Sequence, residues 1–498
     1  MRRTRAVPLS VALGLAAACT ATGGSQPSAD PTTTTSNPVT APPVSLSLLV
    51  FNVEYGGSRS TDAVMADLDA DVVGVLESYN RLPEIAAKAG YPYYDVGLQI
   101  LSKYPILEPS GADGLYALIE VRPGEAVALI NTHLDYVQDG PNRLARGVPL
   151  AEVLAGEEEV RLASIQKLLP SATRLLDEQW PVLFTGDLNE PSHLDWTAAT
   201  SAQHGGIGAV PWPVSTALIG AGLRDAYREV RPDPVTDPGN TWGQVAGSNG
   251  SARRIDFAYV GGPVEVKSSE VVGERGGDSV DRGYPTWTSD HRAVLSQLIL
   301  HPKPIPTTIA LSSRLVTAGD DVTLTYRQPG ADGTVTLTGP SSATYPAPGD
   351  SGTVVVPTAE LAGGDYRVDL SDPTGAVIAT NELYVRPRHS QVEVTTDAAT
   401  YAVGEPITVR WTDGPANRWD WIGVYRAGAA DPERDDYLLW GYTGGHDAGA
   451  LPPRPEGELV LGRDHQGSPW PLPAGRYRVH YLLTDQYESA GSTDFIVR

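Results

Sequence analysis

Polar and ionisable side chains stand at the ends of short apolar segments between residues 45 and 301. Asn52 follows SLSLLVF, Glu77 follows ADVVGVL, and His133 follows AVALINT. Further along come PVLFTGDLN with Asp187 and Asn189, RRIDFAYV with Asp256, and TSDHRAV with Asp290 and His291. Because strand ends in an α/β fold converge on one rim where ligands bind, this pattern predicts a single site.

The residue types in this set suit chemistry at phosphorus. Glu77 and one or two of the aspartates, with Asn52, offer the hard oxygen ligands that Mg²⁺ or Mn²⁺ takes, which leaves positions for water and a substrate phosphate. The imidazoles of His133 and His291 can share protons with phosphoryl oxygens or contact them as cations. Metal, imidazole and carboxylate together predict metal-assisted in-line displacement.

Each residue alone has a simpler interpretation. Asn52 could be a turn residue at a strand end, and Asp187 could form an Asx-turn. Asp256 could pair with Arg253 or Arg254 as an ordinary ion pair, and His133 could be a hydrogen-bonded structural histidine. The joint occurrence of the whole set favours the catalytic interpretation over these.

The pattern of the chain divides it into three folded parts. Residues 45–301 alternate β-branched runs with helix-like segments, which predicts a mixed α/β domain of about 250 residues. PKPIPTT then indicates a stiff linker. Residues 302–388 and 389–498 alternate polar and apolar positions between Gly/Asp turns, which predicts two all-β, immunoglobulin-like sandwich domains.

The N-terminus predicts export. Arg2, Arg3 and Arg5 precede the apolar run from Ala6 to Ala18, which is too short to span a bilayer, so residues 1–19 are predicted to be a signal peptide. Cys19, the only cysteine, lies in GLAAAC, which resembles a bacterial lipobox although Leu15 is one place early. We expect a lipid-anchored or freely secreted protein at the outer face of a bacterial membrane, without disulfides or a transmembrane span. The Ser/Thr/Pro-rich residues 20–44 are predicted to be a disordered tether.

Charge limits the substrates. The formal net charge of −23 repels polyanions at long range, so non-specific coating of nucleic acid is disfavoured. No basic run interleaved with aromatic residues is present to track a strand. Isolated basic residues remain candidates for phosphate contacts, although a solvated face is their usual place: Lys103, Arg143, Arg146 and Arg161.

The ordered motifs FNVEYGG, VLES, NTHLDY, FTGDLNEPS, RIDFAYV and TSDHRAV, with QILSKYPI among them, resemble the endonuclease/exonuclease/phosphatase superfamily. The resemblance spans Leu46 to Leu300. It implies a four-layer α/β sandwich of two mixed sheets. The superfamily includes deoxyribonucleases, abasic-site nucleases, sphingomyelinases and inositol-phosphate 5-phosphatases. A weaker resemblance, carried by WDWIGVY and YLLWGYTGG, links residues 389–498 to SKICH-type sandwiches, although such aromatic residues are more often core.

The resemblance also implies a role for each residue of the set. Glu77 would be the principal metal ligand, with Asn52 beside it and Asp290 completing the metal side. Asp187 would orient or deprotonate the attacking water, and Asn189 would hold a phosphate oxygen. Two histidines complete the set: Asp256 would keep His291 protonated to stabilise the transition state, and His133 would serve the leaving oxygen or bind phosphate.

The sequence therefore predicts an exported Mg²⁺-dependent hydrolase of phosphate esters. Its substrate would be a nucleic acid, a phospholipid or an organic phosphate. One alternative is a phospholipid head-group phosphodiesterase such as a sphingomyelinase. Another is a non-enzymatic surface binding protein, which should have lost members of the catalytic set; all of them are present.

Overall fold

A computed structural model describes residues 42–498 except 244–251, 331, 389–390, 417–418, 429–431, 433–436, 444–454, 463–469 and 484–485. The predicted signal peptide at 1–19, including Cys19, and residues 20–41 of the predicted tether lie outside the described residues. Residues Pro42–Arg498 belong to one compact unit. Within the described part, no helix combines the length and hydrophobicity needed to cross a membrane.

The strands described in the first part of the chain fall into two mixed sheets. These strands are β1 (Val44–Asn52), β2 (Val72–Leu76), β3 (Tyr93–Asp95), β4 (Ile100–Ser102), β5 (Ile106–Leu107), β6 (Ala117–Arg122), β7 (Glu125–His133), β8 (Val182–Asp187), β9 (Arg224–Asp225), β10 (Asp256–Gly261), β11 (Val264–Glu274), β12 (Arg282–Tyr284), β13 (Ala293–Leu300) and β14 (Lys303–Pro304). The first sheet has the order β12-β11-β13-β1-β2-β4-β3, and the second has the order β5-β6-β7-β8-β10-β9.

The described helices are α1 (Arg59–Leu68), α2 (Leu82–Ala89), α3 (Gly140–Ala145), α4 (Leu150–Glu157), α5 (Ala163–Asp177), α6 (Pro213–Gly220) and α7 (Ala226–Val230). Helix α1 begins at a capping box. The Ser58 side chain accepts from the backbone N–H of Thr61, and the Thr61 hydroxyl accepts from the backbone N–H of Ser58. Helix α2 has a proline in its first turn and ends at Gly90, whose φ of 83° favours glycine.

Alternation along β1 shows how the layers form. Leu46, Leu48 and Val50 point into the core between the two sheets, where residues of β7, β8 and β10 meet them. Leu49 and Phe51 point to the other side, where they pack with residues of α1 and α2. Residues of α5 and α6 cover the outer face of the second sheet in the same way. The prediction of a mixed α/β fold is confirmed.

Two further pairs of sheets follow. The first pair contains β15 (Thr308–Leu311), β16 (Leu315–Thr317), β17 (Asp321–Arg327), β18 (Gly333–Thr338), β19 (Ser342–Ala347), β20 (Ser351–Pro357), β21 (Gly364–Ser371) and β22 (Val377–Arg386). The second contains β23 (Glu393–Thr396), β24 (Thr400–Tyr401), β25 (Ile407–Thr412), β26 (Trp421–Arg426), β27 (Leu439–Tyr442), β28 (Gly457–Leu461), β29 (Gly475–Leu482) and β30 (Ser489–Val497). Each pair encloses its own apolar core. Their immunoglobulin-like and SKICH-like character stays a prediction.

The predicted linker is attached to the α/β domain. Its residues Lys303–Pro304 form β14, which pairs antiparallel with β7. Ile305 is buried in the core beside the second sheet, and its N–H donates to the Gly124 carbonyl at 2.8 Å. The proline-rich segment is extended, and the buried Ile305 side chain holds it against the α/β domain.

A buried amide joins the two sheets beneath the rim. The Nδ2 group of Asn131, on β7, donates to the carbonyls of Val75, Leu98 and Gln99 at 3.0 to 3.2 Å. Its Oδ1 accepts from the Thr185 hydroxyl at 2.8 Å. The bonds from Nδ2 cross from the second sheet towards the first and fix the spacing of the two strand sets, whereas the bond from Thr185 lies within the second sheet.

Replacing this amide should destabilise the domain. Asn131→Ala removes the hydrogen bonds of this buried amide to three carbonyls and one hydroxyl, so we expect a loss of about 2–4 kcal/mol in the free energy of unfolding. Urea denaturation at constant m-value measures it. Gln297→Ala removes an exposed amide from β13 and is the matched control, expected to change stability by less than about 0.5 kcal/mol. Equal losses in the two variants would contradict the role of Asn131.

Candidate active site

Strand pairing in the second sheet sets three of the predicted residues side by side. In the parallel pair β7 and β8, His133 lies opposite Asp187. In the antiparallel pair β8 and β10, Asp187 lies opposite Asp256. All three residues therefore stand in one row at the rim, on adjacent strands.

Pairing in the first sheet delivers the other side of the site. Asn52 lies opposite Leu76 in the parallel pair β1 and β2, so Glu77 follows at the same end. Strand β13 runs antiparallel to β1, with Val294 opposite Val50, which places His291 just before it at this end. The Ser289 hydroxyl donates to the Asn52 carbonyl at 2.7 Å and accepts from the His291 N–H at 3.0 Å.

Asn52 links the two sheets within the site. Its Nδ2 group donates to Glu77 Oε1 and to Asp187 Oδ2, both at 3.0 Å, and lies 3.5 Å from His291 Nε2. Its Oδ1 accepts from the backbone N–H of Glu54 at 3.0 Å. In this arrangement the amide presents its NH₂ group to the site, so Asn52 holds carboxylates in place and does not offer its oxygen.

His291 and Asp256 form a buried pair. Nδ1 of His291 lies 2.9 Å from Asp256 Oδ2, while its Nε2 lies 3.6 Å from Asp187 Oδ2. Burial opposes charge on the imidazole, but the carboxylates of Asp256 and Asp187 outweigh it and raise the pKa of His291 to about 10. His291 is therefore an imidazolium at neutral pH, with Nε2–H directed away from Asp256.

His133 and Asn189 occupy the opposite flank. His133 Nε2 lies 3.1 Å from Asn189 Nδ2 and 3.5 Å from Asp187 Oδ2. Asn189 has a φ of 48°, in the left-handed region, and its backbone N–H donates to Asp187 Oδ1 at 2.9 Å. Its Nδ2 also donates to the Leu134 carbonyl at 2.9 Å. Asn189 thus orients Asp187 and borders His133.

Glu77 and Asp290 lie at the wider side of the pocket. Glu77 has a φ of 55°, which is costly for a residue with a side chain, and its Oε2 accepts from the Tyr55 N–H at 3.0 Å. Asp290 Oδ2 accepts from the indole N–H of Trp242 at 3.1 Å, and Oδ1 lies 3.8 Å from His291 Nε2. All eight predicted residues therefore join one set of contacts.

The electrostatics of the pocket fit a divalent cation. Its volume is about 600 Å³, and its lining includes the carboxylates of Glu54, Glu77, Asp187 and Asp290. No lysine or arginine appears among the described lining residues, and the Asp187, Asp256 and His291 ligand atoms lie within 4.8 Å of one another. His291 partners Asp256 and Asp187, whereas Glu54, Glu77 and Asp290 lie close together with no lysine or arginine among the described lining residues. These three carboxylates suit an ion that prefers oxygen.

Lys103 and the three arginines that were candidates for phosphate contacts are absent from that lining: Arg143, Arg146 and Arg161. Arg161 is fully buried, where it pairs with Glu157 and donates to the carbonyls of Asp135 and Val137. It supports the loop that follows His133.

Two residues near the chemistry were not predicted. Glu54 Oε2 accepts from the Asp290 N–H at 2.9 Å, and burial together with the Asp290 charge raises its pKa. Trp242 reaches Asp290 from a segment that forms an isolated bridge with His291. Glu54 was visible in FNVEYGG, two residues after Asn52. Trp242 follows no apolar strand, so the strand-end pattern could not find it.

Comparison with known proteins places this site in a family. Residues 49–291 match the model of the Endonuclease/Exonuclease/phosphatase family. An uncharacterised Caenorhabditis elegans protein, F14F9.5, is 31% identical over 242 residues, which are 43% of this chain and 75% of that protein.

Solved structures of low sequence identity are also similar. An endonuclease/exonuclease/phosphatase from Beutenbergia cavernae is 17% identical and covers 68% of this chain and 99% of its own, with a TM-score of 0.33. Zebrafish (D. rerio) TDP2, complexed with a single-strand DNA product, is 16% identical and covers 51% of this chain and 98% of its own, with a TM-score of 0.31. On the match over residues 49–291 and the nematode relative, the chain belongs to the endonuclease/exonuclease/phosphatase family.

Proposed function

We propose that this protein is a Mg²⁺- or Mn²⁺-dependent phosphodiesterase that cleaves its substrate by a single attack of water. The observation that carries the proposal is that eight side chains from both sheets form one set of contacts. Six of them line one pocket, and Asn52 and Asp256 are buried behind them. Such a rim supplies a base, a cation and a leaving-group acid around one phosphate position.

Glu77 and Asp290 would hold the metal ion, with Asn52 beside them. Bound there, the ion would polarise a phosphoryl oxygen and neutralise developing negative charge.

The chain's own residues account for the proton movements. Asp187, held by the Asn189 N–H and Asn52 Nδ2, accepts the proton of the attacking water as the water oxygen bonds to phosphorus. The imidazolium of His291 donates Nε2–H to a phosphoryl oxygen while Asp256 holds Nδ1. As the ester P–O bond breaks, His133 donates a proton to the leaving oxygen.

Export to the outer face of the membrane is part of the proposal. It is supported by the basic N-terminus, the apolar run from Ala6 to Ala18 and the single cysteine behind it.

Metal removal should abolish turnover. We expect hydrolysis of bis-p-nitrophenyl phosphate in the presence of Mg²⁺, its loss in excess EDTA, and recovery when Mg²⁺ or Mn²⁺ is added back. The reason is that the described pocket lining offers Glu54, Glu77 and Asp290 no lysine or arginine. Release of p-nitrophenolate measures the rate. Turnover that persists after exhaustive chelation would refute the metal dependence.

Removing transition-state groups should abolish turnover without unfolding the domain. For Asp187→Ala and His291→Ala we expect kcat to fall by at least about 10³-fold, with thermal unfolding still cooperative. The matched controls Asp177→Ala and His301→Ala alter exposed residues outside the pocket and should retain wild-type rates. Near-normal rates in either site variant would remove that residue from the mechanism.

Substituting the single cysteine tests the anchor. When the full chain is expressed in a bacterium that processes lipoproteins, the wild type should sediment with membranes, and Cys19→Ser should lose that association because no thiol remains to carry lipid. Cell fractionation and immunoblotting measure the distribution. If the wild-type protein were found entirely in the medium, the lipid anchor would be contradicted, and the protein would be freely secreted.

A further inference from the structure

One wall of the active-site pocket comes from the last part of the chain. Six aromatic residues from this part line the pocket together with the catalytic side chains. We call these six residues the aromatic wall: Trp419, Trp421, Tyr437, Trp440, Tyr442 and Tyr487. The wall meets the α/β domain at His133, whose ring centroid lies 6.1 Å from that of Trp419, and at Val137, which packs against the same cluster. The pocket is therefore composite.

Contacts within the wall fix its rings. Trp440 stands edge-on to Tyr442, with centroids 5.4 Å apart at 89°, and Trp421 is perpendicular to Tyr487 at 5.7 Å. The indole N–H of Trp421 donates to the Gln486 carbonyl at 2.9 Å. Asp420, next to Trp421 and fully buried, accepts from the Tyr481 hydroxyl at 2.8 Å. The pocket thus has a preformed aromatic side.

The ionisable side chains that line the pocket are mainly acidic. Five acidic residues line the pocket: Glu54, Glu77, Asp135, Asp187 and Asp290. Among its described lining residues, the basic side chains are the two histidines, His133 and His291. A divalent ion at Glu77 and Asp290 would offset part of this charge, and Glu54 would still favour a cation.

We propose that the aromatic wall binds an organic cation, of the quaternary ammonium type, carried by the alcohol of the substrate's phosphodiester. Ring faces attract such cations through their quadrupoles, and nearby carboxylates add to the attraction. The inference deepens the proposed function and rests on it, since the phosphate of the same molecule would lie among the catalytic residues. A pocket of about 600 Å³ holds a zwitterionic head group of this kind.

Other phosphate esters fit this lining less well. A nucleic acid strand brings further phosphates, which need lysine or arginine partners that the described lining lacks. A sugar phosphate monoester adds a second negative charge, and its hydroxyls need polar partners that ring faces do not supply. A phosphodiester with a cationic alcohol has one negative charge for the catalytic side and one positive charge for the wall.

Matched chromogenic diesters test the charge preference. We compare p-nitrophenyl phosphorylcholine with its neutral isostere, 3,3-dimethylbutyl p-nitrophenyl phosphate, and with thymidine 5′-(p-nitrophenyl phosphate). The full-length protein with Mg²⁺ should show kcat/KM about tenfold higher for the choline ester than for the isostere, mainly through KM. A ratio near one, or a preference for the thymidine ester, would overturn the proposal.

Variants of the wall link that preference to its rings. Tyr437 is half-buried, and Tyr437→Leu should reduce the choline-to-isostere ratio several-fold, whereas Tyr437→Phe keeps the ring and should preserve it. Trp421→Leu and Trp421→Phe repeat the comparison at a second ring. Tyr93→Leu alters an exposed aromatic residue outside the pocket and is the matched control. An unchanged ratio in both leucine variants would exclude the wall.

A binding measurement separates this inference from the proposed function. Choline and 3,3-dimethylbutanol are titrated into the full-length protein with Mg²⁺ while tryptophan fluorescence is recorded. Saturable binding of choline alone, without turnover of any ester, would support the wall and refute the phosphodiesterase. Turnover of all esters without choline binding would refute the wall and leave the phosphodiesterase.

Two sources of the ligand are then compared directly. Glycerophosphocholine represents the soluble diester, and vesicles of phosphatidylcholine or sphingomyelin represent the lipid head group. Release of phosphocholine or choline from one of them identifies the source, and hydrolysis of neither would contradict the assignment of a choline-type substrate.

Discussion

The pairing of β8 with its two neighbours is the constraint on which the rest of the site depends. Hydrogen bonds of the ladder set His133, Asp187 and Asp256 in one row. Since side chains alternate between the two faces of a strand, a slip of one residue would turn Asp187 away from the site. The buried amide of Asn131 then joins this sheet to the first. The strand register in the second sheet therefore also sets the distance from its site residues to those of the first sheet.

The site concentrates negative charge where the fold offers little water. Asp187 and Asp256 are both buried, yet each has a defined set of donors, among them Asn52, the Asn189 N–H and His291. This arrangement offsets much of the desolvation cost that an isolated carboxylate would carry. The remaining charge, at Glu77 and Asp290, faces the open pocket, where a cation from solution can reach it. The buried carboxylates, Asp187 and Asp256, thus take part in hydrogen bonds and proton transfer, whereas Glu77 and Asp290 are placed to bind a metal ion.

Sequence predicted the site residues better than the surroundings that shape the pocket. Each of the eight residues lies in an apolar segment or close to one of its ends, so a local pattern was sufficient to find them, and the structure brings them together. The NH₂ orientation of Asn52 and the contact of Trp242 with Asp290 depend on segments far apart in the chain. The segment after His301 was predicted to be a stiff linker because proline content is local, whereas the burial of Ile305 is a tertiary property.

The aromatic residues near the C-terminus also have contacts that the sequence pattern did not predict. Alternating Trp and Tyr in WDWIGVY is compatible with an ordinary sandwich core, and Ile422 and Val424 of this segment are indeed buried in that core. Tyr425 is buried in the separate cluster that contains Trp419 and Trp421. Trp419 and Trp421 precede and begin the same strand, yet they also border the pocket of another part of the chain. Sequence periodicity predicts which residues share a face of a strand. It does not predict which other part of the chain that face or the end of the strand contacts. The chemistry of the rim is therefore encoded locally in residues 45–301, whereas the wall that would select the substrate is encoded by packing between parts of the chain more than 250 residues apart, as in the contact of His133 with Trp419.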